Sequence, residues 1–217
     1  MYIQVNDINL YYEVSGSGKP IILLHGNGED HTIFDVLIKE LSLSHQVFAV
    51  DSRNHGQSDK STNCHYEVFR DDIIDFIKKL KLQEPIIYGF SDGAIIALLI
   101  AIKEPTLISK MILSGANYHP HGLNFKDYYM YKVLYQLNKD PLLRMMLKEP
   151  NISLEELHNI KLKTHIIVGE KDCIKISHTL SLKNAINAST LEIIKGEDHS
   201  SYIIHSPKLY PIIKKYL

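Results

Sequence analysis

The stretch GFSDGA, Gly89 to Ala94, places a serine and an aspartate between two glycines. The apolar run PIIY precedes it and the apolar run IIALLIAI follows it, so the stretch stands where a predicted strand turns into a predicted helix. Such a sharp turn can hold Ser91 on a strained corner if the residues two before and two after it lack bulky side chains. Gly89 and Gly93 meet this need, so the sequence predicts an exposed serine hydroxyl at a strand-to-helix turn.

Outward from this stretch, short β-branched runs alternate with helical patterns along the whole chain. The predicted strands are 2–5, 10–14, 21–24, 47–50, 86–88, 110–113, 165–168 and 191–194, and the predicted helices are 32–43, 67–80, 94–103, 178–187 and 207–217. The first two strands predict a hairpin that turns at Asn6 and Asp7. The alternation predicts an α/β fold with a mostly parallel, eight-stranded, doubly wound sheet and helices on both of its faces.

Length and composition limit the classes of function. A chain of 217 residues favours one domain, 1–217, in which we expect the aromatic-rich excursion at about 118–160 to form a short cap over the body. The net charge of -1, with mixed signs, predicts no nucleic-acid or anionic membrane partner. The chain shows no leader pattern, no long apolar span and no cysteine framework, which predicts a soluble, cytoplasmic protein.

Polar residues follow several predicted strands at the points where those strands end. In a parallel sheet, ligands gather outside the carboxyl ends of the strands. The candidate segments are HGNG at 25–28, DSRNHG at 51–56, GFSDG at 89–93, GEKD at 169–172 and GEDH at 196–199. Together they supply a serine, an acid and a histidine in that chain order.

These motifs resemble those of the α/β-hydrolase fold superfamily. The resemblance covers nearly the whole chain, through LLHGNG, DSRNHGQSD, GFSDGA, GEKD and GEDHS. The run GFSDGAIIALLIAIKEPTLISKMILSGANY is similar to the valacyclovir hydrolase (biphenyl hydrolase-like) branch. The resemblance implies a serine hydrolase that contains an α/β-hydrolase fold with a short helical cap.

The resemblance, together with the chemistry of the side chains, implies a role for each catalytic residue. Ser91 is expected to be the nucleophile, His199 the general base and acid, and Asp172 the residue that orients the imidazole. The backbone N–H groups of Asn27 and Asp92 are expected to form the oxyanion hole. Glu170 and Asp198 compete with Asp172 for the role of the acid.

The Asp92 side chain has two possible roles. It can face solvent or cap the following helix, since the helix macrodipole favours an acid there. Alternatively, it lines the acyl pocket and pairs with a cationic group, as the matching aspartate of the similar branch does with the α-amino group of amino acid esters. The other candidates for substrate contact are His25, which is also expected to support the oxyanion loop, and the excursion residues Tyr118, Tyr128 and Tyr129. The short cap predicts a compact or rather open site for small acyl groups.

The predicted activity is hydrolysis of small carboxylic esters, with α-aminoacyl esters as one substrate class. A carbon–carbon bond hydrolase, an iminopeptidase-type amidase, a cofactor-free perhydrolase and a non-enzymatic ligand-binding protein of the same fold remain alternatives. We expect a small-molecule substrate, a monomer or small homo-oligomer, and neither cofactor nor metal.

Two other motifs carry no function. The segment GSGK at 16–19 lacks the Ser/Thr of a phosphate loop, because Pro20 follows it. His119 and His121 have no further metal ligands at useful spacing.

Overall fold

The structure, a computed structural model, describes all 217 residues and contains eight strands in one sheet. The strands are β1 (Tyr2–Val5), β2 (Ile8–Ser15), β3 (Lys19–Leu24), β4 (His45–Val50), β5 (Ile86–Phe90), β6 (Lys110–Ser114), β7 (Lys163–Gly169) and β8 (Ser189–Ile194). Their order across the sheet is β1-β2-β4-β3-β5-β6-β7-β8. The first two strands form an antiparallel hairpin, and β3 to β8 run parallel. The predicted α/β-hydrolase architecture is confirmed.

Helices cover both faces of this sheet. They are α1 (Asp35–Leu41), α2 (Tyr66–Lys79), α3 (Asp92–Lys103), α4 (Phe125–Asn138), α5 (Pro141–Lys148), α6 (Leu154–His158), α7 (Ile176–Ala185) and α8 (Leu209–Ile213). Because side chains alternate along a strand, Ile22 and Leu24 pack on the face that α2 and α3 cover, whereas Ile21 and Leu23 pack on the opposite face, against α1 and α8. Both faces of the parallel strands are therefore buried, which explains their continuous apolar runs.

Two predicted helices differ from the observed ones. The predicted helix at 32–43 begins as a 3₁₀ turn over His31–Phe34, because the Asp30 side chain accepts a hydrogen bond from the Thr32 N–H and tightens the chain there. The predicted terminal helix at 207–217 is shortened to α8, which is followed by a 3₁₀ turn over Lys214–Tyr216. None of the helices is both long enough and apolar enough to cross a membrane.

The excursion after β6 contains three short helices, each of which starts at a capping side chain. Asn124 caps α4, Asp140 caps α5, and Ser153 forms a reciprocal capping box with Glu156 at α6. Helix α4 ends at Lys139, which has a left-handed φ of 57°. Helices α4 and α5 pack on each other, whereas α6 packs against α3 and α7 of the body.

Candidate active site

Ser91 stands on a strained turn between β5 and α3, with φ 52° and ψ −112°. A Cβ atom on Gly89 would lie 2.4 Å from the Gly93 carbonyl oxygen, and one on Gly93 would lie 2.2 Å from the Leu24 carbonyl oxygen. Only glycine fits at either position, because real Cβ atoms do not approach backbone so closely. The two glycines thus let the strand, the turn and the helix pack tightly around Ser91.

Ser91, His199 and Asp172 form a continuous chain of contacts at the carboxyl edge of the sheet. The His199 Nε2 atom lies 3.1 Å from Ser91 Oγ, and the Nδ1 atom lies 2.7 Å from Asp172 Oδ1. The side chain of Asp172 is fully buried, and its Oδ1 atom also accepts a hydrogen bond of 2.8 Å from the Ile174 N–H. With the Nδ1–H donating to Asp172, the Nε2 atom of His199 is oriented to accept the proton of Ser91.

The competing acids bind elsewhere. Glu170 accepts a hydrogen bond from the Gly196 N–H, and Asp198 accepts hydrogen bonds from the N–H groups of Ser200 and Ser201. Both carboxylates therefore stabilise loops, and neither is hydrogen-bonded to the His199 imidazole.

The surroundings of His199 favour its protonated form. Burial opposes the charge, but the hydrogen bond and ion pair with Asp172, together with the neighbouring Cys173 side chain, outweigh burial and raise the pKa of His199 above its ordinary value. Glu29 also lies near this site, and burial raises the pKa of its carboxyl to about 7. A raised pKa at His199 strengthens the proton acceptor that Ser91 faces.

Two backbone N–H groups beside Ser91 are unpaired. The N–H groups of Asn27 and Asp92 donate to no acceptor within the protein. The N–H groups of the adjacent residues are paired, since the Gly26 N–H donates to Glu29 Oε2 and the Gly93 N–H donates to the His25 carbonyl. These hydrogen bonds hold the backbone on either side of Ser91 in place. Two N–H donors that have no acceptor and are fixed in position beside a nucleophile can stabilise an oxyanion.

The Asp92 side chain is buried, so the expectation that it faces solvent is wrong. It is 5% exposed, and its Oδ1 and Oδ2 atoms accept hydrogen bonds from the Tyr66 hydroxyl at 2.7 Å and the Asn27 side-chain amide at 3.0 Å. It makes no helix-capping hydrogen bond. Burial raises the pKa of the Asp92 carboxyl, and the hydrogen bonds from Tyr66 and Asn27 oppose this rise without cancelling it.

Ser91 opens into a cavity of about 30 Å³, which is small and agrees with the compact site expected from the sequence. Its lining residues are Tyr66, Ser91, Asp92, Asn117, Leu123, Tyr131, Met146, Cys173, Ile174 and His199. Asp92 is the only carboxylic acid among these lining residues, and none of them is a lysine or an arginine.

Four residues expected at the substrate lie outside this lining. His25 is buried and braces the loop, with Nδ1 donating to the Gly26 carbonyl and Nε2 accepting from the Ser52 N–H. Tyr118 stacks on His178, and Tyr129 is 58% exposed and stacks on Phe125. Tyr128 lies on α4 but does not reach the cavity.

The residue of α4 that lines the cavity is Tyr131, because the rotation of α4 about its axis turns that position inward. Sequence analysis missed Tyr66, for which the sequence holds no signal, whereas Met146 belongs to the excursion at about 118–160 expected to form the cap. For two other lining residues the sequence does hold a signal. Cys173 directly follows the predicted acid Asp172, and Asn117 belongs to the run that resembles the valacyclovir hydrolase branch.

Two groups of side chains have the composition of metal ligands. They are Asp172 with Cys173 and His199, and Asp30 with His31 and Asp51, and in each the donor atoms lie within 4.8 Å of one another. Hydrogen bonds between histidine and aspartate account for both groups, through Asp172 in the first and Asp51 in the second. Neither group therefore indicates a metal centre.

Comparisons with known proteins agree with this architecture. The chain is 26% identical to the AB hydrolase superfamily protein YisY of Bacillus subtilis, over 99% of this chain and 98% of that protein. It is 36% identical to the serine hydrolase BPHL of Homo sapiens, over 53% of this chain and 42% of that protein. A thermophilic esterase from Thermogutta terrifontis superposes with a TM-score of 0.82 at 19% identity, over 100% of this chain and 97% of that one.

The sequence pattern of the alpha/beta hydrolase fold matches residues 19–144, which is more than half of the chain. The matched region contains the loop at 25–28, the turn at Ser91 and the first part of the excursion. The chain therefore belongs to the alpha/beta hydrolase fold family and is a hydrolase.

Proposed function

We propose that this protein is a serine hydrolase that cleaves small carboxylic esters through an acyl-enzyme on Ser91. The observation that carries the proposal is the contact chain from Asp172 through His199 to Ser91, next to two unpaired N–H groups. Ser91 follows β5, Asp172 follows β7 and His199 follows β8. These three strands are parallel, so the three side chains lie at the same edge of the sheet. This arrangement suits acyl transfer.

In the first half of the reaction, Ser91 Oγ attacks the ester carbonyl carbon and its proton passes to His199 Nε2. The carbonyl oxygen becomes an oxyanion, which accepts hydrogen bonds from the N–H groups of Asn27 and Asp92. The intermediate collapses when His199 returns the proton to the leaving alcohol, and the acyl group stays on Ser91. Asp172 holds the imidazole in the required tautomer and stabilises its positive charge.

In the second half, a water molecule attacks the acyl carbon while His199 accepts its proton. The second oxyanion forms at the same two N–H groups, and its collapse returns the proton to Ser91 Oγ and releases the carboxylic acid. The cavity of about 30 Å³ favours small acyl groups in this cycle.

The charge of the cavity wall favours a cationic acyl group, so we assign α-aminoacyl esters as the preferred substrates. Asp92 is buried beside Ser91, its two hydrogen-bond donors are neutral, and no lysine or arginine lines the cavity. His199, which lines the same cavity and can carry a positive charge, is hydrogen-bonded to Asp172 and not to Asp92. A buried carboxylate without a counter-ion is costly, and a substrate ammonium would compensate its charge. The similarity to the valacyclovir hydrolase branch agrees with this assignment.

The test is the hydrolysis of two p-nitrophenyl esters, one plain acyl and one α-aminoacyl of matched size. We expect Ser91→Ala to lower kcat by about 10⁴-fold or more on both, because the nucleophile is lost. Ser177→Ala, the same change at an exposed serine, should keep wild-type rates. A folded wild type that hydrolyses neither ester would contradict the esterase activity.

The variant Asp92→Asn tests the preference for α-aminoacyl esters independently of ester hydrolysis itself. Asparagine keeps the size of the side chain and removes its charge, so kcat/KM for the α-aminoacyl ester should fall by about 10-fold to 100-fold while the plain ester changes little. Equal loss on both esters would contradict amine recognition by Asp92 and leave a general esterase.

A further inference from the structure

Glu29 follows the loop that carries Asn27, and it is hydrogen-bonded back to the start of that loop. Glu29 Oε2 accepts a hydrogen bond of 3.0 Å from the Gly26 N–H, and the Glu29 N–H donates to the Gly26 carbonyl at 3.4 Å. Both polar backbone groups of Gly26 are therefore bound to the same residue. These two hydrogen bonds close the loop into a tight turn around Asn27.

The two residues inside this turn have no backbone anchor of their own. Neither Asn27 nor Gly28 forms a backbone hydrogen bond within the protein, and Gly28 is exposed. The Asn27 side-chain amide donates to Asp92, but this contact holds the side chain and not the N–H group. The direction of the Asn27 N–H therefore depends on the turn that Glu29 closes.

The Glu29 carboxylate also lies close to the contact chain at Ser91. A Cβ atom on Gly26 would lie 2.8 Å from Glu29 Oε2 and 3.1 Å from Ser91 Cβ, so both side chains approach this glycine closely. The carboxylate is near enough to His199 for the two charges to interact. Glu29 is hydrogen-bonded to neither Ser91 nor His199, so any effect on the reaction passes through the loop or through charge.

We propose that Glu29 is a positioning residue for ester hydrolysis, because its carboxylate closes the turn that directs the Asn27 N–H at the oxyanion. This inference rests on the proposed function. The negative charge that the Asn27 N–H binds develops only in the transition state. Loss of the turn should therefore lower kcat and leave KM nearly unchanged.

The ionisation of Glu29 makes this support depend on pH. An ionised carboxylate accepts a stronger hydrogen bond from the Gly26 N–H than a protonated carboxyl does. Burial raises the pKa of Glu29 to about 7, because it outweighs the hydrogen bond from Gly26 and the charge of His199, which both lower the pKa. The turn is therefore held most firmly above this pH and less firmly as the pH falls through it.

The other titratable groups that face Glu29 do not change this direction. The negative charges of Asp30, in the same loop, and Asp92, on α3, raise the pKa of Glu29 further. The phenols of Tyr88 on β5 and Tyr131 on α4 stay neutral near pH 7, because burial raises their pKa values above that of an ordinary tyrosine.

The first test is the kinetics of whichever p-nitrophenyl ester is hydrolysed faster. We expect Glu29→Ala to lower kcat by about 10-fold to 100-fold with little change in KM, because the turn loses a closing hydrogen bond. Glu29→Gln should recover most of this loss, since its amide oxygen can accept from the Gly26 N–H. Glu40→Ala, the same change at an exposed glutamate of α1, should keep wild-type values. Far-UV circular dichroism checks that each variant is folded.

The second test is the shape of the pH profile of kcat. Full activity of the wild type requires that both Glu29 and His199 have lost a proton, so log kcat should rise with pH more steeply than a single ionisation allows. Glu29→Gln has no carboxyl at this position, so its profile should follow the ionisation of His199 alone. A side chain that served only stability would leave the shape of the profile unchanged.

The third test observes the turn without any substrate, by ¹H–¹⁵N NMR of the Gly26 amide. We expect its proton resonance to move downfield as the pH rises, with a midpoint near 7, because the acceptor of this N–H becomes ionised. In Glu29→Gln this titration should disappear, although His199 still titrates.

An active wild type whose kcat Glu29→Ala leaves unchanged overturns this inference alone, and so does a variant that changes only KM. A Gly26 amide that titrates alike in the wild type and in Glu29→Gln also overturns it, whatever the activity. A folded wild type that hydrolyses neither ester instead overturns the proposed function, and this role of Glu29 with it.

Discussion

The hydroxyl of Tyr66, at the start of α2, lies 2.7 Å from the Asp92 carboxylate at the start of α3, and both side chains are buried. This hydrogen bond links the helix after the elbow to the neighbouring helix of the body. It also directs the carboxylate away from the Asp92 N–H, which leaves that donor free. Tyr66 is thus a positioning residue for the wall of the candidate site.

Tyr66→Phe should destabilise the protein by about 1 to 3 kcal/mol, because it removes one of two donors to a buried carboxylate. Urea unfolding followed by circular dichroism measures the change. Tyr131→Phe is the matched control, since Tyr131 lines the same cavity and its hydroxyl makes no hydrogen bond within the protein. Equal stability of both variants and the wild type would show that the hydrogen bond contributes nothing.

The pH profile of ester hydrolysis should follow the neutral form of His199, so activity should rise with pH. Asp172 and the neighbouring Cys173 together outweigh burial and raise the pKa of His199, which places the midpoint above that of an ordinary histidine. Asp172→Asn removes the contribution of Asp172 and leaves that of Cys173, so the midpoint should move to lower pH while the plateau of kcat falls by about 10⁴-fold. Glu170→Gln, a change at the neighbouring acid, should leave the midpoint in place. A midpoint that does not respond to Asp172→Asn would assign the titration to another group.

Gly93→Ala should prevent the elbow from forming. The added Cβ would stand 2.2 Å from the Leu24 carbonyl oxygen, which belongs to a central strand and cannot move aside. We expect a loss of stability of about 3 kcal/mol or more, or no folded protein at all. Gly28→Ala meets no atom within 4 Å, and its φ of 75° should limit the cost to about 1 to 2 kcal/mol of backbone strain. Thermal unfolding of both variants measures the difference between the two losses of stability.

Arg53→Met should be among the most destabilising single changes in the chain. The guanidinium donates to both oxygens of Asp72, at 2.8 and 2.9 Å, and both side chains are almost entirely inaccessible to solvent. Removal of Arg53 leaves a buried carboxylate without its partner, at a cost of about 3 to 5 kcal/mol.

The control for this variant is Arg70→Met, which breaks the partly exposed pair with Asp71 and should cost less than about 1 kcal/mol. Urea unfolding at neutral pH measures both variants. A stable Arg53→Met protein would mean that water or a rearranged donor reaches Asp72.

The alternating order of strands and helices could be predicted from the sequence because it depends on local patterns of residues. Apolar runs bounded by turns gave all eight strands, and GFSDGA placed Ser91 at the right strand end. The errors fell where local signals are weak, at the shortened α8 and at the 3₁₀ turn before α1. A hydrogen bond from a single side chain, Asp30, marks the 3₁₀ turn, whereas no side chain caps α8.

Local pattern alone places Ser91, Asp172 and His199 after β5, β7 and β8, and the three residues come together because the carboxyl ends of parallel strands meet at one edge of a sheet. The walls of the cavity depend instead on how the helices pack. Tyr131 lines it and Tyr128 does not, because the packing of α4 on α5 sets the rotation of the helix. Asp92 is buried because Tyr66, 26 residues earlier in the chain, reaches it from another helix. Contacts between residues so far apart in sequence depend on how whole elements pack, and no local pattern encodes that packing.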